Sequence, residues 1–325
     1  MQIDRRNGMS GNNGKQSDKK AVDDDSDEDG EKTRKKSDKN MANYRKIVIA
    51  DDSEIEQRYT SDYRGRVQDK NITVKLEPMY ALTYYEKVSD VKHGVHYHKY
   101  IDELNQSKLF PKMLRITNME APLTEDLANY HFALIDAHTS AIVADTNDAK
   151  KRFLRGLDFY LVQDFSTSIE DLTKCILLDD KFFPAYFMRA LVRYKQLEYR
   201  KAEAVVADDV IIVGTDSNKS EVRAVDYETV KNDLDQVIRL APDFVYAYYN
   251  RGNVSSMLKD YRGALEDYDK AIELNPNFAE AYYNRGLTHV FLGNNKQGIS
   301  DLSKAGELGV FSAYNVIKRF TSVDE

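Results

Sequence analysis

The sequence is poor in the residues that would indicate a disulfide scaffold or a zinc site. Its 325 residues include one cysteine, Cys175, so no internal disulfide can form and no cysteine–histidine set with zinc-finger spacing exists. There is also no apolar run of 18 residues, about the length that a membrane-spanning helix needs. The first residues carry charge without an apolar stretch behind them. These absences predict no direct membrane insertion.

An excess of basic charge is missing as well. The formal net charge is -7, with 31% charged residues, which gives a solvated and mildly acidic surface without the basic footprint of a nucleic-acid-binding protein. We therefore expect no nucleic-acid partner. As written, the chain is expected to be soluble and cytoplasmic. If it is a fragment of a longer protein, the cell envelope becomes an alternative compartment.

Residues 1–43 contain almost no aliphatic or aromatic side chains. Their charges come in blocks, acidic over 23–31 and basic over 32–39. Such a segment cannot bury enough apolar surface to offset the entropy of ordering it. The composition predicts a disordered charged tail or linker.

Residues 44–120 have a different pattern, which predicts a small mixed α/β segment. Apolar and polar residues alternate over 72–76, as in a half-buried strand, and Pro78 ends the run. A short helix is predicted over 97–104 and a second strand over 114–117.

A long amphipathic helix is predicted next. Thr124 and Asp126 are placed to cap its start, and the apolar residues that follow recur with helical spacing. His131 and His138 lie two turns apart on it without any catalytic motif beside them, so we interpret them as ordinary helix residues.

An internal repeat of 34 residues occupies the rest of the chain. The four residues 249–252 (Tyr-Asn-Arg-Gly) recur as 283–286, and Pro242 recurs as Pro276. Small residues at the positions of Gly252 would let two helix backbones approach, and the proline would end the second helix of each copy. Each copy therefore predicts a helical hairpin.

The same period continues toward the N-terminus. Arg155 and Arg189 are 34 residues apart, as are Phe165 and Tyr199, whereas Arg189 and Arg251 are 62 residues apart. One copy therefore carries 28 extra residues. The predicted array covers 121–325, with copies at 149–182, 183–244 (insertion 204–224), 245–278 and 279–312, and a capping helix at 313–320.

The spacing and the tyrosine, glycine, alanine and proline positions resemble the tetratricopeptide repeat family. The resemblance implies a mainly α fold, an α-solenoid in which helical hairpins stack into a superhelix. It also implies a non-catalytic scaffold that docks an extended peptide or a helix of a partner protein on its concave face. It implies no cofactor and disfavours a small-molecule ligand.

The first helices of the repeats carry the residues that we expect to line this face. Rigid aromatic rings with a polar tip bury much area at small entropic cost, and the alternative is that the rings pack between helices. The predicted partner-binding residues are Phe153, Phe187, Tyr249, Asn253, Tyr283, Asn284 and Leu287.

A more specific hypothesis comes from the same family, in which a two-carboxylate clamp grips the acidic C-terminus of chaperones. Asn253 and Asn284 match its asparagine positions, and Lys318 could supply one cation. Tyr249 and Tyr314 stand where other cations are expected, so a free carboxylate would lack most of its charged partners.

Two charged columns follow the repeat period. Because arginine pairs with carboxylates in a bidentate manner, we predict bridges within or between adjacent repeats, the alternative being solvated surface charges. The columns are Arg155, Arg189, Arg251 and Arg285, and Asp171, Asp233, Asp267 and Asp301.

A metal site is the competing hypothesis. His93, His96 and His98 fall within six residues, and imidazole is a ligand for zinc or nickel. No carboxylate accompanies them at fixed spacing, so an incidental surface cluster is the alternative. With a metal bound, residues 44–120 would act as a metal-dependent enzyme or regulator, and the repeats would recruit its substrate.

Overall fold

The computed structural model describes residues 75–83, 98–107, 114–118, 123–208 and 224–321. The predicted tail, His93, His96 and the first part of the predicted strand at 72–76 lie outside these ranges. Within them the chain is mainly α. The elements are β1 (Ala81–Thr83), α1 (Lys99–Gln106), β2 (Arg115–Thr117), α2 (Glu125–Ala144), α3 (Ala149–Leu161), α4 (Phe165–Leu178), α5 (Phe183–Asp208), α6 (Ala224–Leu240), α7 (Val245–Met257), α8 (Tyr261–Leu274), α9 (Ala279–Phe291), α10 (Asn295–Glu307) and α11 (Ser312–Thr321).

Successive helices from α3 to α10 pack as antiparallel hairpins. Aspartates start several of them, because an N-cap carboxylate satisfies backbone N–H groups that have no partner within the helix. Asp164 accepts from Thr167 N at 3.1 Å before α4, and Asp260 accepts from Gly263 N at 3.1 Å before α8. The predicted cap Thr124 accepts from Leu127 N at 3.3 Å before α2. Among the described helices, none is both long and apolar enough to cross a membrane.

Small residues set the distance between the two helices of a hairpin. A Cβ atom built on Gly252 would lie 2.7 Å from the ring of Tyr268. Tyr268, Ala264 and Ala271 on the second helix are fully buried. Glycine therefore allows a large ring to lie directly against the first helix.

The second repeat departs from the predicted frame. Its first helix, α5, has 26 residues, whereas α3, α7 and α9 have 13 each. Its second helix begins at Ala224, so Tyr227 takes the place that the 34-residue match had given to Tyr199. That match was wrong because Tyr199 lies inside the prolonged α5. Residues 209–223 of the predicted insertion lie outside the described ranges.

The described parts of residues 75–118 share a core with the array. Strands β1 and β2 pair antiparallel, with Leu82 opposite Ile116. Leu82, Ile101 of α1 and Ile116 are buried in one apolar cluster that continues into α3–α8. The predicted helix at 97–104 and strand at 114–117 correspond to α1 and β2.

Of the other predicted strand, 72–76, the structure describes only the last two residues. Lys75 and Leu76 are not in a strand, and β1 begins only at Ala81. The backbone of Glu77 and Tyr80 is hydrogen-bonded to side chains of the array instead of to a neighbouring strand.

Candidate peptide-binding groove

An extended stretch of the chain lies against the first helices of the array. We call residues 75–83 the groove segment, and we call the side chains that hold it, from α5, α7, α9 and the residues beside them, the groove. The segment runs from contacts with α9 and α11 at Leu76 and Glu77 to a contact with α5 at Leu82. Its backbone N–H and C=O groups are the main targets of the groove's polar side chains.

Glu77 is held through both of its backbone polar groups. Its N–H donates to Asn284 Oδ1 at 2.7 Å. Its carbonyl accepts from the Tyr249 hydroxyl at 3.0 Å and from Asn253 Nδ2 at 3.0 Å. Asn284 Nδ2 also donates to Asn253 Oδ1 at 2.8 Å, so the asparagines orient each other. Buried networks of this kind are rigid when every member has a partner.

Tyr80 is held in the same way by Asn250. The Tyr80 N–H donates to Asn250 Oδ1 at 2.8 Å, and Asn250 Nδ2 donates to the Tyr80 carbonyl at 2.9 Å. Asn250 is fully buried. An amide side chain that pairs with both backbone groups of one residue copies the pairing of a neighbouring β-strand.

The Tyr80 side chain fills a pocket, which we call the tyrosine pocket, formed by Tyr246, Tyr249, Phe278 and Glu280. The ring centroid of Tyr80 lies 4.8 Å from that of Tyr246 and 5.4 Å from those of Tyr249 and Phe278. Tilted and edge-on contacts at such distances are favourable for aromatic rings. Tyr80 has no exposed surface.

The floor of the tyrosine pocket is a carboxyl group. Glu280 is only 6% exposed, and its side chain is hydrogen-bonded to the Tyr80 hydroxyl. Burial raises the pKa of Glu280 to about 7 and raises the pKa of Tyr80 well above its ordinary value. The phenol therefore keeps its proton and donates to the carboxyl group, whereas the Glu280 carboxyl group titrates near neutral pH.

The two ends of the groove segment are anchored by other repeats. The Leu82 N–H lies 3.1 Å from Met188 Sδ on α5. Leu76 packs against a cluster that includes Tyr283 and Leu287 of α9. The Glu77 side chain is hydrogen-bonded to Ser312 at the start of α11.

The predicted partner-binding residues separate into two groups. Tyr249, Asn253 and Asn284 meet at Glu77, and Tyr283 and Leu287 belong to the cluster beneath Leu76. Phe153 and Phe187 are instead fully buried between helices, with ring centroids 5.1 Å from those of Phe182 and Phe244. These two rings therefore pack between helices, which was the alternative to a place on the binding face.

The prediction missed Tyr246 and Phe278 of the tyrosine pocket, and it also missed Met188, Asn250 and Glu280. Asn250 carried a sequence signal, because it precedes Asn284 by one 34-residue period. Glu280 stands where the preceding copy has Tyr246, and this substitution was a second signal. Met188 has no feature in the sequence that distinguishes it from a core residue.

The asparagines of the carboxylate-clamp hypothesis bind a backbone carbonyl in this structure. Asn253 and Asn284 both bind a backbone carbonyl, that of Glu77. Tyr314 lies over Gly306, so its ring packs on α10. The asparagines thus hold an internal peptide bond in the position where the hypothesis places a terminal carboxylate.

The histidine hypothesis can be examined at His98 only. His98 is the N-cap of α1, accepting from Tyr100 N, and its Nε2 lies 3.0 Å from the Asp243 carbonyl. Burial lowers the pKa of His98. Both ring nitrogens therefore have protein partners. In the part of the chain that the structure describes, no group of three or more His, Cys, Asp or Glu side chains is placed to hold a metal ion.

The charged columns meet across every hairpin. Each arginine donates to the aspartate of the second helix through Nε and Nη2, with shortest N···O distances of 2.6–2.7 Å. The third guanidinium nitrogen reaches back 16 residues to the preceding hairpin or, for Arg155, to α2. Its acceptors are Thr139, Thr173, Asp235 and Asp269. Each arginine therefore joins the second helix of its own hairpin to the helix that precedes that hairpin.

The hairpins, their shared arginine bridges and their common face define a helical-repeat solenoid, a class of protein whose repeats stack to form one extended binding surface. Within that class the chain carries tetratricopeptide repeats. Two models of the tetratricopeptide repeat match it, over residues 245–278 and 267–299.

Solved structures that resemble the chain are also repeat proteins. A crystal structure of MamA has 21% identity and a TM-score of 0.44, covering 55% of this chain and 83% of MamA. The first TPR of Spaghetti (RPAP3), bound to the HSP90 peptide SRMEEVD, has 17% identity and a TM-score of 0.36, covering 46% of this chain and 96% of that one. YrrB, described as having an unusual peptide-binding site, has 18% identity and a TM-score of 0.31, covering 57% and 99%. No curated protein sequence matches the chain.

Proposed function

We propose that this protein is a non-catalytic interaction scaffold whose groove binds an extended peptide of a partner protein, in the position that the groove segment occupies. The observation that carries the proposal is the pairing of Asn250 and Asn284 with the backbone of Tyr80 and Glu77. Such contacts do not depend on the ligand's side chains, so they fit any extended strand that reaches them.

The groove segment then acts as a competitor within the same chain. A tethered ligand is present at an effective concentration of roughly millimolar. A partner peptide must therefore exceed it in affinity, or the segment must first leave. We expect the groove to accept peptides weakly in the intact chain and more strongly when the segment is disengaged.

The alternative function, a metal-dependent enzyme or regulator with its site in residues 44–120, has less support. Of its three candidate ligands only His98 is described, and its ring is used to cap α1 and to bind Asp243. A metal-content assay on the full chain and on a His96→Ala, His98→Ala variant distinguishes the two functions. Stoichiometric metal that is lost in the variant would favour the alternative.

The direct test uses a full-chain variant, Tyr80→Ala with Leu82→Ala, in which the segment has lost two buried anchors. A fluorescent synthetic peptide of residues 75–83 is titrated into it, and binding is followed by anisotropy, with folding checked by circular dichroism. We expect saturable binding that is weakened at least about 10-fold when Asn250→Ala is added, because two buried hydrogen bonds are lost.

The matched control is Asn295→Ala on the exposed start of α10, which should leave the affinity unchanged. Absence of binding to the folded variant, or binding that is indifferent to Asn250, would contradict the proposed function.

A further inference from the structure

The tyrosine pocket has features that the backbone contacts do not explain. A groove that only needed to hold an extended strand could bury any apolar side chain between Tyr246 and Phe278. It instead places a carboxyl group, Glu280, where the Tyr80 hydroxyl ends. The pocket therefore matches one particular side chain in shape and in hydrogen bonding.

We propose that this pocket is a tyrosine-specific subsite, so that the groove selects partner peptides with an unmodified tyrosine three residues after the residue gripped by Asn284, and rejects the same peptides when that tyrosine is phosphorylated. The inference rests on the proposed function, since it names the chemistry of the peptide that the groove takes. The spacing is that of Glu77 and Tyr80, whose backbones are held by Asn284 and Asn250.

Preference for tyrosine over phenylalanine follows from Glu280. Its carboxyl group is nearly enclosed, and a phenylalanine in the pocket would leave it without the phenol's hydrogen bond. The carboxyl group would keep only the hydrogen bond to its own backbone, and removing one partner of a buried polar group costs more than the net gain of an ordinary hydrogen bond. The expected loss of affinity is roughly 10- to 100-fold.

Rejection of phosphotyrosine follows from charge and burial together. A phosphate group brings about two negative charges at neutral pH, and here it would lie beside a carboxyl group. Tyr80 has no exposed surface, so the added phosphate group would be enclosed among the side chains of the pocket and cut off from water. Like charges in a buried site repel strongly because water does not screen them. We expect phosphorylation to weaken binding by more than about 100-fold.

The charged and titratable neighbours of the pocket also disfavour a phosphate group. Glu77 lies close enough to raise the pKa of Glu280 further, and Tyr246 and Tyr249 are the other titratable groups that sense Glu280. Arg251 and Arg285, the arginines of the same first helices, are engaged with the aspartates of the charged columns. A phosphate in the pocket would thus meet acidic and phenolic groups.

The test compares three synthetic peptides of residues 75–83 that carry tyrosine, phenylalanine or phosphotyrosine at the position of Tyr80. Each is titrated by anisotropy into the full-chain Tyr80→Ala, Leu82→Ala variant, with and without Glu280→Gln. We expect the affinity to decrease in the order tyrosine peptide, phenylalanine peptide, phosphotyrosine peptide. The amide of Glu280→Gln can still accept from a phenol but carries no charge. The variant should therefore bind the tyrosine peptide with unchanged affinity, and it should bind the phosphotyrosine peptide at least about 10-fold more tightly than the protein with Glu280 does.

The outcomes separate the two proposals. Equal affinities for the tyrosine and phosphotyrosine peptides, with binding still dependent on Asn250, would overturn the tyrosine subsite and leave the peptide groove standing. Discrimination that is unchanged in a folded Glu280→Gln variant would overturn the role of the carboxyl group. If none of the three peptides binds, both the subsite and the proposed function are overturned.

Discussion

Asn250 and Tyr80 are paired through two hydrogen bonds of 2.8 and 2.9 Å although 170 residues separate them in the sequence. The pair joins α7 of the array to the groove segment, and its partners are the backbone groups of Tyr80. Asn250 therefore holds the segment whatever side chain that position carries.

The first prediction concerns this pair. Asn250→Ala in the otherwise unchanged chain should loosen the groove segment, because the Tyr80 N–H loses its buried acceptor. We expect faster hydrogen exchange of the Tyr80 and Leu82 amides by about 10-fold or more, measured by mass spectrometry on peptides covering 75–83. Asn295→Ala should change nothing there. Equal protection in both variants would show that the segment is held by other contacts.

The second prediction concerns Gly252. A methyl group at this position would lie 2.7 Å from the buried Tyr268 ring, so Gly252→Ala must push α7 and α8 apart or displace the ring. We expect a loss of about 1–3 kcal/mol in the free energy of unfolding, measured by urea denaturation. Tyr268 also donates to Asn253 Oδ1 at 2.8 Å, so peptide affinity should fall as well.

Gly156→Ala is the matched comparison for this effect. There the nearest atom is Leu172 Cγ at 3.1 Å, on an aliphatic side chain that can yield. The destabilisation should be clearly smaller than at Gly252. An equal or larger loss at Gly156 would contradict the steric explanation.

The third prediction concerns the charged columns. Asp267→Ala removes the carboxylate that Arg251 binds through Nε and Nη2, and leaves the exposed Asp235 as the carboxylate partner of the guanidinium. Because Asp267 is buried, we expect a loss of about 2–4 kcal/mol in the free energy of unfolding. The control, Glu273→Ala, breaks an exposed pair with Lys270 and should cost no more than about 0.5 kcal/mol.

The fourth prediction is a pH dependence of the groove segment. Burial raises the pKa of Glu280 from 4.5 to about 7, so the docked state favours the protonated carboxyl group. Stability that comes from this proton is complete below pH 4.5 and is lost as the pH rises through 7, at up to about 1.4 kcal/mol per pH unit. Hydrogen exchange of residues 75–83, corrected for its intrinsic rate, should reveal weaker docking at pH 8 than at pH 6. In Glu280→Gln this difference should disappear.

The fifth prediction concerns a buried pair outside the groove. His131 Nδ1 lies 2.8 Å from Asp158 Oδ1, both essentially buried, and His138 Nε2 lies 3.4 Å from Asp158 Oδ2. We had interpreted these histidines as ordinary helix residues. They instead connect α2 to α3 through Asp158. Burial raises the pKa of Asp158 from 3.8 to about 8, so its carboxyl group keeps a proton near neutral pH.

That proton is lost as the pH rises, so the folded state loses stability between pH 4 and 8 relative to a chain without the titrating acid. Asp158→Asn retains a hydrogen-bonding side chain and cannot titrate. Thermal unfolding of both proteins from pH 6 to 9 should give a steeper decline for the unchanged chain. Parallel pH profiles would exclude Asp158 as the titrating group.

The 34-residue period predicted the structural features that arise from contacts within one repeat or between neighbouring repeats. The small residue at Gly252 and the matched positions of Arg285 and Asp301 belong to the geometry of one hairpin, which recurs in each copy. The same period misplaced Tyr199, because a coincidental match fell inside the prolonged α5. A single copy with an insertion offers no second example to correct it.

The groove segment could not be predicted from these patterns. Its contacts connect Glu77 to Asn284 and Leu82 to Met188 across 207 and 106 residues, and no period links such positions. Its backbone pairs with the side-chain amides of the array and not with another strand. Residues 77–80 therefore do not need the alternation of apolar and polar residues that indicates a strand. The sequence signal lay on the array side, in Asn250 and in the exchange of tyrosine for glutamate at Glu280.

The long separation between Tyr80 and its pocket also has a consequence during synthesis of the chain. The tyrosine leaves the ribosome about 200 residues before α9 is complete, an interval of roughly 10–40 s at ordinary translation rates. Throughout that interval the groove that will enclose Tyr80 does not yet exist, and its hydroxyl is open to any kinase nearby. A phosphate group added then would be carried into the finished protein, where it would keep the groove segment out of the tyrosine pocket and leave the groove open to a partner.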